Sequence, residues 1–328
     1  MRLFVYSMRD FDELPCFERL AEDRGFEFDW TSEPPSLDDV GLVEGHDSVS
    51  VITTPLDREL LGQWSEAGVR GVATRSIGFD HIDLGAAADY GIRCVHAAYP
   101  PEGVADYAIM LMLMVMRKAR LVLSLASVQD YGLEGKIGAD ISRSTVGIVG
   151  TGRIGRTVAR HLSGFGCELL AYDPYPSPEL DGIATYVSLD ELLERSDAIT
   201  LHAPANEANH HMIGAPQLAR MREGAILVNC ARGALVDQQA LIDALESGHL
   251  GGAGLDTLEG EIELCYYDRS RDIVADRDRA VLESFPNVVV SPHMAFYTAV
   301  DVHEMCRCNV DGLLAIEHDE DTPLEVRA

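Results

Sequence analysis

Thr145-Val-Gly-Ile-Val-Gly-Thr-Gly-Arg-Ile-Gly155 is the stretch that decides the fold. A short β-branched run, residues 146–149, leads into Gly150-Thr-Gly-Arg-Ile-Gly155, and an amphipathic stretch follows over residues 154–165. Glycine at 150 permits a tight turn, glycine at 152 lets the backbone approach a pyrophosphate, and glycine at 155 lets the helix pack on the strand. The N–H groups of Arg153 and Ile154 then face phosphate at the positive end of the helix dipole. A bare G-x-G-x-x-G is common by chance. The strand before it and the helix after it make it a dinucleotide fingerprint. Asp173 ends the next predicted strand, 18 residues beyond Gly155, where a carboxylate accepts from ribose hydroxyls. That carboxylate repels a 2′-phosphate, so NAD is the expected cofactor. Arg153 partly offsets the repulsion, which leaves NADP open.

Working outward, short β-branched runs alternate with helical stretches through nearly the whole chain, the pattern of βαβ units and parallel sheets. A first series runs from residue 3 to residue 95, and Pro100-Pro101 then breaks the chain. A single long helix is predicted over residues 102–126 and a last one over residues 299–317. Further strands are predicted at 168–172, 198–201, 225–229, 252–256 and 288–291. The last helix is long enough to return to the first domain. The expected architecture is therefore α/β, with two doubly wound parallel-sheet domains. One comprises residues 1–100 plus 298–328 and handles substrate; the other, 101–297, binds the dinucleotide. Since α/β ligands sit at the carboxyl ends of strands, the chemistry is expected in a cleft between the domains.

Composition narrows the function. The 328 residues are 47% hydrophobic, enough for two cores, and the net charge is -28. An acidic chain repels phosphate backbones and anionic lipid, so neither nucleic acid nor membrane is an expected partner. Local cations must then attract any anionic substrate. Seven irregularly spaced cysteines without a CxxC argue against a disulfide framework or a zinc site, so no metal is expected, and they fit a reducing cytoplasm. The apolar run at residues 107–116 is too short to span a bilayer.

Three residues supply the chemistry of a hydride transfer to a keto acid. Arg232 follows the predicted strand ending at Asn229, and its planar fork matches a carboxylate with two parallel hydrogen bonds. His293, in Ser291-Pro-His293, follows another strand and can exchange a proton with a carbonyl or alcohol oxygen. A carboxylate beside that imidazole would fix its tautomer and stabilise the imidazolium. Both Glu259 and Glu261 lie just past the strand ending at Asp256, and spacing leaves the choice between them open.

At this point the chain resembles the D-isomer-specific 2-hydroxyacid dehydrogenases over essentially its whole length, with a nearest branch that looks like the D-lactate dehydrogenases, including those of vancomycin-resistance clusters. The carrying stretches are Arg75-Ser-Ile-Gly-Phe-Asp-His-Ile-Asp83, Ala98-Tyr-Pro-Pro-Glu-Gly-Val-Ala-Asp-Tyr107, residues 145–155, residues 229–237, Leu255-Asp-Thr-Leu-Glu-Gly-Glu261 and Ser291-Pro-His293. The resemblance implies a flavodoxin-like substrate domain and a Rossmann NAD-binding domain, assembled as a homodimer through the latter with the helix near 102–126 contributing. It places the catalytic arginine on Arg232, the acid on Glu261 rather than Glu259, and the acid/base on His293. It sets the Ile77 and Gly78 backbone against the substrate carboxylate, with Tyr99 close to it and Phe296 in the pocket wall. On the cofactor side it implies that Asp256 holds the nicotinamide carboxamide. Cys230 and Ala231 would line the nicotinamide, and Pro204 and Asn209 would edge the adenine. Cys230-Ala231 departs from commoner small residues, so oxidation of Cys230 is expected to impair the site.

The activity implied is NAD-dependent reduction of a small 2-keto acid, pyruvate to D-lactate being the leading case. Two alternatives stand beside it: a dehydrogenase for a bulkier acid such as phenylpyruvate or 2-ketoisocaproate, and an NAD-sensing regulatory protein on the same fold.

Overall fold

The computed structural model describes residues 1–261 and 264–328. In chain order its strands are β1 (Arg2–Val5), β2 (Glu27–Trp30), β3 (Ser48–Val51), β4 (Gly71–Thr74), β5 (Arg93–His96), β6 (Thr145–Val149), β7 (Glu168–Tyr172), β8 (Thr185–Tyr186), β9 (Ala198–Leu201), β10 (Ile226–Asn229), β11 (Gly252–Leu255), β12 (Val288–Val290) and β13 (Glu325–Val326). The chain divides into two compact units, Met1–Pro100 with Tyr297–Ala328, and Pro101–Phe296. Both are α/β with parallel sheets, apart from the edge strand β13 of the first, as the alternation of elements predicts.

In the first unit the sheet order is β13-β5-β4-β3-β1-β2, so the winding reverses between β1 and β3. Alternate residues of each strand face opposite sides. Phe4, Tyr6, Val49, Val72 and Cys94 enter one core with Leu60, Leu61 and Trp64 of the helix Arg58–Glu66. Leu3, Val5, Ala73 and Val95 enter the other with Phe17 and Leu20 of the helix Leu14–Arg24 and with Val310, Leu313 and Ile316 of the helix Ala299–Glu317.

A charged knot is embedded in this unit. The side chains of Arg75 and Glu13 are fully buried and meet at 2.8 Å. The Arg75 guanidinium also donates to the Tyr6 and Ser7 carbonyls and to Ser50 Oγ. Burial of an ion pair is tolerated when the remaining donors are satisfied, and here four of the five guanidinium N–H donors have partners. The knot fixes the chain directly before Ile77 and Gly78.

At one sheet edge β13 pairs antiparallel with β5, Glu325 opposite Val95. Arg93 grips the Glu325 carboxylate at 2.6 and 3.2 Å. Those hydrogen bonds hold the carboxyl down at about 2, against a burial that raises it. A carboxyl depressed by folding contributes stability above its ordinary range and loses it as pH falls toward the folded value. Glu325→Gln should therefore unfold at lower urea than wild type near neutral pH. The gap should close as pH is lowered from the ordinary glutamate range toward about 2; a gap independent of pH would exclude the account.

In the second unit the order is β12-β11-β10-β9-β6-β7-β8, all parallel, with the reversal between β6 and β9. β9, β10 and β11 are buried along their whole length, as expected for parallel strands covered on both faces. The predicted long helix over 102–126 is instead two helices, Glu102–Met116 and Ala119–Ser127. Lys118 adopts a left-handed conformation, φ 51°, and the Met116 carbonyl accepts from Ala139 N–H instead of continuing the helix. The first helix is buried on most of its surface, whereas the second buries none of its residues. The two-residue strands β8 and β13 were not predicted, since so short a pairing has no readable period. Among the described residues, no helix is long and apolar enough to cross a membrane.

Candidate active site

The groups singled out in the second unit hang from the carboxyl ends of its strands: Gly150 after β6, Asp173 after β7, Arg232 after β10, Asp256 after β11 and His293 after β12. The glycine loop lies beside the point where strand order reverses. Gly150 has φ 88°, and a Cβ there would meet Ala203 N at 2.6 Å. A Cβ on Gly155 would lie 2.0 Å from the Gly150 carbonyl oxygen, so helix and loop close only with glycine. By contrast, a Cβ on Gly152 would meet nothing within 4 Å, which leaves open space in front of the loop. The helix Arg153–Ser163 starts there with no side chain capping its N–H groups. Arg153 is exposed and Ile154 half-buried. Open space, uncapped N–H groups and a helix dipole suit a pyrophosphate.

Asp173 is built into this loop. Its Oδ2 accepts from Thr151 N–H at 2.6 Å and Thr151 Oγ1 at 3.1 Å, and its Oδ1 accepts from Tyr175 N–H. Tyr186 in turn donates to Thr151 Oγ1. Pro204 and Asn209 are tied to each other, the Asn209 amide donating to the Pro204 carbonyl at 2.6 Å.

The loop after β10 is braced by Asn229, whose side chain accepts from Ala231 N–H at 3.0 Å and donates to the Arg232 carbonyl at 2.9 Å. Arg232 is half-buried and donates to the Ala231 carbonyl. Gly233 then brings this loop onto the one after β11: a Cβ on it would lie 2.1 Å from the Leu258 carbonyl carbon and 2.2 Å from Glu259 N.

His293 and Glu261 meet directly, Nδ1 to Oε1, at 2.8 Å. The other Glu261 oxygen accepts from Leu258 N–H at 2.7 Å, and Glu261 is 7% exposed. With Nδ1 committed to the carboxylate, Nε2 is the ring nitrogen left to serve a ligand. Glu259 points elsewhere, to His210 and His211. His293 is left-handed, φ 56°, and its N–H donates to the Asp256 carbonyl. Asp256 is fully buried and accepts from Ser291 Oγ, Met294 N–H and Ala295 N–H at 2.6 to 2.8 Å. Burial pushes its carboxyl up, and these hydrogen bonds only partly offset that. Both Asp256 oxygens are thus already engaged by the turn that carries His293. These bonds brace the turn of His293, and a carboxylate with about four lone-pair sites keeps acceptor capacity beyond the three they use.

The surroundings of Cys230 bear on how readily it oxidises. It is buried, and burial together with Asp256 holds its thiol protonated well above the ordinary range. Thiols in that state are poor nucleophiles, so oxidation there is disfavoured. One residue missed in the sequence also stands beside His293. Tyr266, φ 73°, sits 6.0 Å from the His293 ring and edge-on to Phe296 at 5.8 Å. It lies in an irregular segment with no period to mark it. In the first unit, the Ile77 carbonyl accepts from His96 Nδ1 and the Gly78 carbonyl from Ser76 Oγ. This leaves the N–H groups of 77 and 78 out of those bonds. Tyr99 is 7% exposed.

Comparison with known proteins gives this geometry its context. Residues 109–295 match the family model described as D-isomer specific 2-hydroxyacid dehydrogenase, NAD binding domain. The chain belongs to that family. These dehydrogenases are oxidoreductases that use NAD, and the loop at 150–155 is the part of this one that fits it. The chain is 41% identical to a D-specific alpha-keto acid dehydrogenase of Enterococcus faecalis, over 88% of each chain. It is 35% identical to an aromatic 2-oxoacid reductase of Clostridium sporogenes, over 97% of this chain and 96% of that one. The solved structure of a D-2-hydroxyisocaproate dehydrogenase covers all of both chains at 34% identity, with a TM-score of 0.89.

One prediction arises from Asp173. Asp173→Asn keeps an acceptor for Thr151 but removes the charge expected to repel a 2′-phosphate. The ratio of kcat/KM for NADPH to that for NADH should rise on the order of tenfold, about 1.4 kcal/mol. An unchanged ratio would show that the carboxylate does not discriminate.

Proposed function

We propose that this dehydrogenase reduces a small 2-keto acid, with pyruvate to D-lactate as the leading case. The observation that carries the mechanism is the 2.8 Å contact between His293 Nδ1 and Glu261 Oε1. Glu261 fixes the tautomer, and His293 Nε2 gives its proton to the substrate carbonyl oxygen. Arg232 clamps the carboxylate with its planar fork and stabilises the charge that develops on that oxygen. NAD, when bound, supplies the hydride in its reduced form. Asp256, which braces the turn of His293, holds the nicotinamide carboxamide on the family resemblance, while Cys230 and Ala231 line the cofactor. Ile77, Gly78 and Tyr99 are carried as substrate contacts and Pro204 and Asn209 as adenine contacts, on the family resemblance. The D configuration rests on the same resemblance.

A bulkier substrate is the second reading, favoured by the Clostridium relative named for aromatic acids, while Phe296 beside His293 argues for a tight pocket. Incubating the protein with NADH and pyruvate, phenylpyruvate or 2-ketoisocaproate, and following absorbance loss, ranks the two. Silence on all three with NADH still bound would move the reading to a sensor.

We also infer a homodimer in a reducing cytoplasm. Leu123, Val128, Leu133 and Ile137, in and beyond the helix Ala119–Ser127, are each at least 67% exposed, and such a patch favours burial against a partner. Sedimentation should give twice the chain mass; the mass of one chain would refute this.

A further inference from the structure

His210, His211 and Glu259 lie outside the set just assigned, yet their donor atoms converge. His210 Nε2 is 3.2 Å from one oxygen of Glu259 and His211 Nε2 is 2.9 Å from the other. All three donor atoms fall within 4.8 Å of one another. Consecutive residues in extended chain point to opposite sides. Here His211 takes φ 51°, and the two rings stack with centroids 3.8 Å apart and planes 26° apart. Both imidazoles therefore address the same carboxylate.

The backbone holds this arrangement from three directions. His211 N–H donates to the Ala234 carbonyl at 2.8 Å. Glu259 N–H donates to Gln238 Oε1 at 3.2 Å. Glu259 N also lies against Gly233.

We propose that His210, His211 and Glu259 form a binding site for a divalent transition-metal ion, Zn²⁺ above all. Two imidazole nitrogens and one carboxylate oxygen are a three-ligand zinc set that leaves a fourth position for water. Bonds of about 2.0–2.2 Å in a tetrahedron put neighbouring donors roughly 3.3–3.6 Å apart, so donors already within 4.8 Å of one another need only small side-chain shifts to close on an ion. Imidazole donors select Zn²⁺, Co²⁺ or Ni²⁺ over Mg²⁺ and Ca²⁺, which prefer all-oxygen sets. The three ligands come from histidine and glutamate in two loops, so cysteine spacing carries no sign of them. A bound ion would tie residues 210–211 to residue 259, and ligand binding to the folded state alone raises stability.

A second convergent trio, Glu261, Cys265 and His293, contains the proposed acid/base pair and is the natural competitor. Titration of the chelator-treated full-length chain with Co²⁺ separates the two. The expected result is one equivalent bound, with the absorption of a four-coordinate ion and no thiolate charge-transfer band. Glu259→Gln and His210→Gln should each weaken binding about tenfold or more. His211→Asn, which tolerates the left-handed backbone, should do the same. Wild type that binds no Co²⁺, binding undiminished in all three variants, or a thiolate band from Cys265 would each overturn the proposal.

Discussion

His293→Asn should lower kcat by about 10²–10⁴-fold, the usual contribution of a positioned proton donor, while leaving NADH binding intact. Asparagine is the informative replacement because position 293 has φ 56°. Alanine would add backbone strain to the loss of the ring, whereas asparagine visits that region more readily. Asn also keeps a polar partner for Glu261, whose second oxygen stays on Leu258 N–H. Steady-state kinetics on the best 2-keto acid, together with NADH fluorescence titration, reads both quantities. Turnover within a few-fold of wild type would remove His293 from the mechanism.

Arg75→Met should destabilise the chain by about 3–5 kcal/mol, because it leaves Glu13 buried with its main cation gone. Arg9 also reaches Glu13, at 3.2 Å, and cannot replace the Arg75 bonds to the Tyr6 and Ser7 carbonyls and Ser50. Urea unfolding followed by circular dichroism measures the loss. Pairing the change with Glu13→Gln should recover part of it, since the stranded charge is then removed. An Arg75→Met protein with wild-type stability would mean that the pair contributes nothing.

Much of this was legible in the sequence, for identifiable reasons. The strand-loop-helix around Gly150 and the apolar runs of β9 to β12 are local patterns whose period or glycine spacing follows from backbone geometry. They led to the α/β class and to the doubly wound sheets. Other features depend on distant partners. Arg75 opens the stretch 75–83, but nothing local shows that Glu13, 62 positions earlier, meets it in the core. Glu259 and Glu261 differ by two positions in an irregular loop, so spacing left both open. In the structure one faces His210 and His211 and the other His293. The helix break at Lys118 was hidden for a related reason. Residues 117–127 have good helix formers, and the interruption comes from Ala139 taking the Met116 carbonyl.

The backbone contact at Gly233 also sets rules for recombining this chain with its relatives. Gly233 lies against the backbone of Leu258 and Glu259 with no room for a side chain between them, so the two loops are matched as a pair. A chimera with one crossover point between residues 236 and 252 would join two loops that were never selected together. Exchanging residues 226–261 as one block keeps that fit, and is the unit in which pieces of this enzyme should be traded.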